Sequence, residues 1–395
     1  MKILVLTSLY PDPRQPTQGI FIRRWLQALT RETGWEFHVL SPRPVQVPVI
    51  GSLLPPLLDP KLLPPVKPSG EGDLVIYPRY PHLPWLGAYR QWRALFRTSL
   101  PYAQELARRH KYGALLGVHL YPDGAAAARL AGWFRLPLIL SARGEDGHLV
   151  ARSRFLRRPV VKAMRRARML HAVSQDLARL METTADLGEG SVAMIPNGVD
   201  TSFFKPGLGG DIRRELELPS TAGLLLNVGR LVPEKGQAEL VEALALLPDH
   251  IHLLLVGDGP LAQPLRRLAE DRSVSHRLHL LGGKGPKEVA ALYREADLFV
   301  LPSRRESCPN ALLEAVASGL PAAASNLGSI PLILQQGRLG VLIKEKGPKA
   351  LALAITRALD MERDKEALND FRREWGWPEK ARAFAAAAGR MLGWN

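Results

Sequence analysis

The chain has 395 residues, 46% hydrophobic and 23% charged, which is the composition of a globular protein rather than a disordered or fibrous one. At about 150 residues per domain, two domains are expected. Lysine and arginine total 53 against 38 aspartate and glutamate, and the net charge of +15 points to an anionic partner: nucleic acid, an anionic membrane face or a phosphate-bearing substrate. Apolar runs stay short of the ~18 residues that spanning a bilayer needs. The start, Met1-Lys2-Ile3-Leu4-Val5-Leu6, has a short apolar core and no small-residue cleavage site before Pro11-Asp12-Pro13. It reads as a buried first strand rather than a signal peptide. The single cysteine, Cys308, excludes an internal disulfide and a Cys-rich metal site, and fits a reducing cytosol.

In chain order, apolar runs at Ile3–Leu9, Phe37–Leu40, Leu74–Tyr77, Ala114–His119, Leu138–Ser141, Leu170–Val173 and Val192–Ile195 predict strands. A second series follows at Leu224–Val228, His252–Val256, Leu278–Leu281, Leu298–Leu301, Ala322–Ala324 and Val341–Ile343. Helical spacing lies between them, as at Leu240, Val241, Leu244 and Leu247, and at Leu312, Leu313, Val316 and Ala317. Strands alternating with helices feed parallel sheets, so two doubly wound α/β domains are expected. The turn-rich run from Pro196 to Gly207 continues neither helix nor strand and puts the boundary near residue 205. Pro42–Pro84 is crowded with proline and leucine, too apolar for a solvated linker, and reads as a long ordered or semi-ordered loop.

Several motifs carry chemistry. In the first half, Gly19 opens a helix after a Pro-rich turn and would permit close approach of a ligand phosphate, or serve only as a turn glycine. His119 ends a strand in Gly117-Val118-His119-Leu120-Tyr121-Pro122-Asp123-Gly124, where histidine is a candidate proton carrier or hydrogen-bond donor. Ser141-Ala142-Arg143-Gly144-Glu145-Asp146 ends the next strand.

In the second half, Gly229-Arg230-Leu231-Val232-Pro233-Glu234-Lys235-Gly236 follows the first strand, at the sheet edge where open α/β folds bind ligands. Arg230 as a fork and Lys235 as a point charge could clamp a diphosphate; an ion-paired Lys235 on a solvated loop is the plainer alternative. Val256-Gly257-Asp258-Gly259-Pro260-Leu261-Ala262 matches a dinucleotide fingerprint in form. Pro260 removes an amide that would face a pyrophosphate, and the next strand ends at Leu281-Gly282 without an acidic ribose ligand. An NAD site is therefore rejected. The strongest signal is Glu306-Ser307-Cys308-Pro309-Asn310-Ala311-Leu312-Leu313-Glu314. Pro309 suits a first helical turn, which places two carboxylates at two depths beside an anion-binding helix start. A nucleotide-sugar suits that arrangement; a capping Glu306 and a solvated Glu314 are the plainer alternative on spacing alone.

Together these motifs resemble the retaining glycosyltransferases of group 1 (family 4). The resemblance rests on Glu306 and Glu314, Gly229-Arg230 with Lys235-Gly236, Ile195-Pro196-Asn197-Gly198-Val199-Asp200 and Val256-Gly257-Asp258-Gly259-Pro260. It runs from Met1 to about Trp377 in the family's order. Tyr121-Pro122-Asp123-Gly124, Arg143-Gly144-Glu145-Asp146 and Arg305-Glu306-Ser307-Cys308-Pro309-Asn310 look closest to members that build bacterial cell-surface polysaccharides.

The resemblance implies an α/β, GT-B fold of two Rossmann-like domains facing across a cleft: an acceptor domain at 1–205, a donor domain at 206–375, and a last helix near 376–395 that packs back on the first. By the same resemblance, Arg230 and Lys235 hold the donor diphosphate, with Gly229 and Gly257 in the donor motifs and Gly19 approaching from the first domain. Glu306 and nearby backbone amides hold the sugar, Glu314 the ribose, and Cys308, Pro309, Asn310 and Ala311 lie in the donor site. His119 faces the sugar and aids catalysis, while Asp123, Arg143 and Asp146 lie on the acceptor side. Cys308 is structural. Two departures stand out: Ser307 replaces a common glycine, which is expected to crowd the sugar, and Leu332 replaces a glutamate after Pro331, which is expected to loosen the donor wall.

The expected reaction is transfer from a nucleotide-sugar, UDP-linked by preference, with retention by a metal-independent front-face route and no cofactor. The acceptor is a cell-envelope glycan or a lipid-linked molecule. Arg152, Arg154, Arg157, Arg158, Lys162, Arg165, Arg166 and Arg168, interleaved with Phe155, Leu156, Val160, Val161 and Met164, suggest an anionic membrane surface as a partner, or an ordinary amphipathic helix. A cytoplasmic protein, peripheral on the inner membrane face, follows. No nucleic acid is expected. Competing readings are a GDP-mannose-dependent lipid mannosyltransferase and a non-catalytic nucleotide-sugar-binding relative.

Overall fold

The computed structural model describes residues 1–15, 17–46, 74–82, 88–144, 150 and 153–394. The chain divides into two compact units, Met1–Pro196 with Lys380–Asn395, and Asn197–Glu379. In the first lie strands β1 (Lys2–Leu6), β2 (Glu36–Leu40), β3 (Arg43–Gln46), β4 (Leu74–Ile76), β5 (Arg79–His82), β6 (Ala114–Val118), β7 (Leu138–Ala142), β8 (Met169–Ala172) and β9 (Val192–Met194). In the second lie β10 (Gly223–Val228), β11 (Ile251–Val256), β12 (Leu278–Gly282), β13 (Leu298–Leu301), β14 (Ala322–Ser325) and β15 (Gly340–Ile343).

The first unit holds a seven-stranded sheet in the order β4-β2-β1-β6-β7-β8-β9. Every pairing in it is parallel. The second holds a six-stranded sheet in the order β12-β11-β10-β13-β14-β15, again parallel throughout. Each predicted apolar run forms a strand of one of these sheets. The reason is physical: parallel strands are covered on both faces by helices, so β6 and β7 are buried at every position and read as unbroken apolar runs.

Sequence did not reveal the small parallel pair β3–β5. It lies within the segment expected to be a loop, where β4 also joins the large sheet. The rest of that segment, 47–73 and 83–84, lies outside the described residues. Arg43, which opens β3, explains why order is needed there. Its guanidinium donates to the Ser8 carbonyl at 2.7 Å and to that of Tyr10, pairs with Asp12 at 3.0 Å, and lies over the Tyr77 ring. Tyr77 donates from its hydroxyl to the Pro11 carbonyl at 2.5 Å. The loop from β1 to helix Ile20–Thr33 is thus pinned from the neighbouring strands.

The units part between Pro196 and Asn197, ahead of the expected point near 205. Hydrogen bonding accounts for the difference. Val199 donates to the Trp375 carbonyl at 2.9 Å, and Arg372 donates to the carbonyls of Thr201 (2.7 Å) and Phe204 (3.0 Å). From Lys380 onward the last helix belongs to the first unit. There Phe384 meets Trp25 edge-on at 4.9 Å, Arg382 reaches Glu32, and Trp394 meets Trp35. Among the described residues no helix is long and apolar enough to cross a membrane.

Candidate functional site

Where strand order reverses in an open parallel sheet, the loops leaving the two central strands diverge and open a crevice at their carboxyl ends. In the second unit that point lies between β10 and β13. The loop after β10 carries Gly229 to Gly236, and the loop after β13 carries Ser303 to Cys308. They meet there. Lys235 Nζ lies 2.5 Å from Glu306 Oε1, and Ser303 Oγ donates to the same oxygen at 3.0 Å. The Arg304 amide donates to the Glu234 carbonyl at 2.8 Å. Side-chain exposure is 25% for Lys235 and 9% for Glu306, so the pair is largely shielded from water.

Beneath this pair the base is polar and buried. Asn227 donates to the Val300 carbonyl at 2.7 Å, joining β10 to β13. Gln237 donates to Asn227 Oδ1 at 3.3 Å and to the Arg230 carbonyl at 3.0 Å, which fixes the backbone that carries the exposed Arg230. Lys235 runs beside Gly229, where an added Cβ would lie 4.0 Å from Lys235 Cε.

The loop after β11 closes onto the same edge. Leu231 donates to the Asp258 carbonyl at 3.0 Å, and Leu261 donates to that of Leu231 at 3.1 Å. Gly257 has φ +135° and no room for a side chain, because a Cβ would stand 2.1 Å from the Gly229 carbonyl oxygen. This glycine pattern therefore lets two loops touch, which accounts for the resemblance to a dinucleotide fingerprint. Asp258 turns its Oδ1 to the Gly283 amide at 3.2 Å.

Helix Asn310–Ala317 begins one residue later than the sequence suggested. Pro309 precedes it with φ −73° and ψ 112°, extended rather than in the first turn. The amides of a helix's first turn have no intrahelical acceptor, so this end suits an anion or a polar sugar. Asn197 fastens it: its Nδ2 donates to Asn310 Oδ1 at 3.0 Å and to the Cys308 carbonyl at 3.4 Å, while its amide meets Cys308 Sγ at 3.4 Å. Buried Cys308 is thus a structural acceptor. Ala311 and half-buried Glu314 follow on the helix, and the Tyr293 hydroxyl donates to Glu314 Oε2 at 3.4 Å. Burial and that carboxylate hold the Tyr293 phenol well above its ordinary pKa, so it stays a donor. Ser307 is buried and its carbonyl accepts from the Ser329 amide at 2.7 Å, whereas Leu332 is exposed.

The first unit has its own reversal, between β1 and β6. His119 is the first residue after β6, and its Nδ1 lies 3.7 Å from Asp123 Oδ2. Ser8, after β1, donates to that same oxygen at 2.9 Å. Gly19 precedes helix Ile20–Thr33 with φ +71°, and a Cβ there would lie 2.6 Å from the Leu9 carbonyl oxygen. Its glycine is needed by the loop itself, whatever else approaches. Arg143 Cζ sits 3.9 Å from the Trp25 ring centroid. Asp146 and Arg152 lie outside the described residues.

Sequence reasoning missed Ser303, Gln237, Tyr293, Ser8 and Trp25. Ser303 lies only three residues before Glu306 in the same loop, so its contact is local in sequence. The others act across strands and helices, and single-sequence spacing carries no trace of that.

Comparison with known proteins identifies the family and the fold. The family described as Glycosyl transferases group 1 matches residues 210–375, and Glycosyltransferase Family 4 matches residues 18–203. The putative teichuronic acid biosynthesis glycosyltransferase TuaC of Bacillus subtilis is 30% identical over 366 residues, covering 90% of this chain and 89% of TuaC. Sucrose-phosphate synthase from Thermosynechococcus elongatus superposes with a TM-score of 0.81 at 21% identity over all of both chains. Anabaena HepE, in complex with UDP and glucose, gives 0.66 at 18% identity, covering 99% of this chain and 95% of HepE. The chain belongs to the group 1 (family 4) glycosyltransferases, with their α/β, GT-B fold.

Proposed function

We propose that this glycosyltransferase moves a sugar from a nucleotide-sugar, with UDP as the carrier, to a cell-envelope glycan or lipid-linked acceptor, and retains the anomeric configuration. The observation that carries the reading is the shielded Lys235–Glu306 pair at the reversal point of the second sheet. A cation and a carboxylate held together there match the two ends of a donor's reacting half: diphosphate for the cation, sugar hydroxyls for the carboxylate. UDP and glucose in complex with HepE and the teichuronic acid in the name of TuaC support the choice of donor and acceptor classes.

In this reading Arg230 and Lys235 neutralise the diphosphate as it leaves, Glu306 with the amides of Asn310 and Ala311 orients the sugar, and Glu314 takes the ribose. Gly19 serves the diphosphate and His119 the sugar. The acceptor oxygen attacks the anomeric carbon on the face the phosphate leaves from. The carbon–phosphate oxygen bond breaks, and the acceptor's proton passes to that leaving oxygen. No protein nucleophile and no metal ion enter the step. Two preorganised cations supply the charge stabilisation instead, each worth about 10²-fold or more in rate by analogy with a single oxyanion donor.

The reading also makes the protein peripheral on the cytoplasmic membrane face. Helix Arg154–Arg166 buries Leu156, Val160, Ala163 and Met164 and exposes Arg157, Arg158, Lys162, Arg165 and Arg166. Phe155 does not join the buried face. It is 72% exposed and packs at 5.2 Å on Tyr89, itself 52% exposed, beside Arg90 and Arg93. Exposed aromatics with exposed arginines close by in the chain suit an anionic interface.

A thermal-shift panel of UDP, GDP, ADP and their sugar conjugates tests the donor reading. UDP compounds should stabilise the chain most, and Glu314→Ala should abolish the shift. No shift with any nucleotide would remove the donor site.

A further inference from the structure

We propose that the Lys235–Glu306 ion pair competes with a bound diphosphate for Lys235, so that the site releases a nucleoside diphosphate more readily than its two cations alone would allow. The proposal rests on Lys235 being a diphosphate ligand in the proposed function, and adds what that lysine must leave in order to act.

The pair itself is the first observation. Lys235 Nζ lies 2.5 Å from Glu306 Oε1, and Ser303 Oγ donates to the same oxygen at 3.0 Å. With its side chain 9% exposed, Glu306 depends on these donors in place of water. A phosphate that draws Lys235 away leaves the carboxylate with one neutral hydroxyl on that oxygen, and brings two like charges close together. Both effects weaken the binding of the incoming anion.

The second observation is that the loops on either side are fixed. The Arg304 amide donates to the Glu234 carbonyl at 2.8 Å, and the Arg304 guanidinium pairs with Glu239 at 3.1 Å. Gly236, at φ +71°, fits so closely against Pro302 that an added Cβ would stand 2.1 Å from the Pro302 carbonyl oxygen. Buried Ser303 holds the Glu306 carboxylate from its own loop. The carboxylate therefore stays where it is, and the part that can move is the lysine stem, a flexible alkyl chain. That stem runs beside Gly229, the neighbour of exposed Arg230.

The consequence is a preference among ligands. An intact nucleotide-sugar answers both halves of the pair: its phosphates take the lysine while its sugar hydroxyls donate to the carboxylate. A nucleoside diphosphate answers only one. The pair opens more easily for the donor than for the product, which favours release once the sugar has been transferred.

The experiment is titration calorimetry of the full chain and its variants with UDP and with inorganic pyrophosphate. Glu306→Gln removes the charge and keeps an acceptor for Ser303. Affinity for both probes should rise in that variant on the order of 10-fold. The same substitution made in Lys235→Ala should raise affinity less, because no lysine is then being contested. No gain in the wild-type background would overturn the proposal. So would a gain as large or larger without Lys235, which is the mark of plain repulsion between carboxylate and phosphate. Glu306→Ala is the second variant and should gain in the same direction. Pyrophosphate separates this inference from the proposed function. Gains with pyrophosphate in a chain that binds no nucleotide would refute the donor reading and leave the competition standing. UDP binding with no gain in either Glu306 variant would refute the competition and leave the donor reading intact.

Discussion

Lys235 Nζ and Glu306 Oε1 lie 2.5 Å apart across the point where the strand order of the six-stranded sheet reverses. They are far apart in sequence, and each is delivered by the loop leaving one of the two central strands. In the proposed function this ion pair gives the diphosphate a cation already held in position, and the sugar hydroxyls a carboxylate already desolvated. Lys235→Ala should keep the fold and lower turnover by about 10²-fold or more. Glu306→Gln should lose a comparable factor, and the double variant should lose less than the product of the two, because the residues act as a unit. Steady-state kinetics of the three variants checks this; near-normal rates in either single variant would contradict the assignment.

Gly257→Ala tests the loop contact rather than the charges. The new Cβ would stand 2.1 Å from the Gly229 carbonyl oxygen, at a φ of +135°. A loss of roughly 2 kcal/mol is expected from strain. Displacing Gly229 also moves Arg230, so affinity for the nucleoside diphosphate should fall as well. Calorimetry on the variant, with and without nucleotide, separates the two effects.

Buried His171 makes stability depend on pH. Its ring lies between Ser141 Oγ and the Ile195 carbonyl, both at 2.8 Å, and burial, with the charge of Arg143 adding, lowers its pKa from 6.5 to about 3. The unfolded chain therefore binds a proton between those values that the folded one does not. Stability from this group is full above pH 6.5 and declines as pH falls toward 3, by about 1.4 kcal/mol per unit. Urea unfolding of His171→Gln should show a shallower loss between pH 6 and 4 than the wild type. Parallel slopes would contradict the assignment.

Phe155 and Tyr89 are the exposed aromatic pair of the basic face. The chain should sediment with phosphatidylglycerol vesicles at low salt and release as salt rises. Phe155→Ser combined with Tyr89→Ser should weaken that binding with little change in melting temperature. No sedimentation at low salt would remove the membrane partner.

How much of this was legible in sequence follows from where the information sits. Strands such as Ala114–Val118 and Leu298–Leu301 are covered on both faces, so their apolar runs announced them. His119 stood out because it follows directly on such a run, and Lys235 and Glu306 because they sit in motifs on the loops that leave such runs. The pairing of Lys235 with Glu306 did not, since it depends on β10 and β13 being neighbours. Nor did the pair β3–β5, whose Arg43, Pro44 and Pro81 argue against a strand by propensity and are overridden by the contacts of Arg43. The His119–Asp123–Ser8 cluster was half visible: His119 and Asp123 share a motif, but Ser8 arrives from another strand.

Turnover with the product's anomeric configuration read by proton NMR tests the central claim most directly. The folded chain, in EDTA, would be given α-linked UDP-sugars together with membrane and glycan extracts as acceptor sources. The expected result is UDP release matched by a new α-linked product, lost in Lys235→Ala. A β-linked first product would contradict retention. No nucleotide release from any UDP-, GDP- or ADP-linked sugar would contradict the proposed donor chemistry altogether.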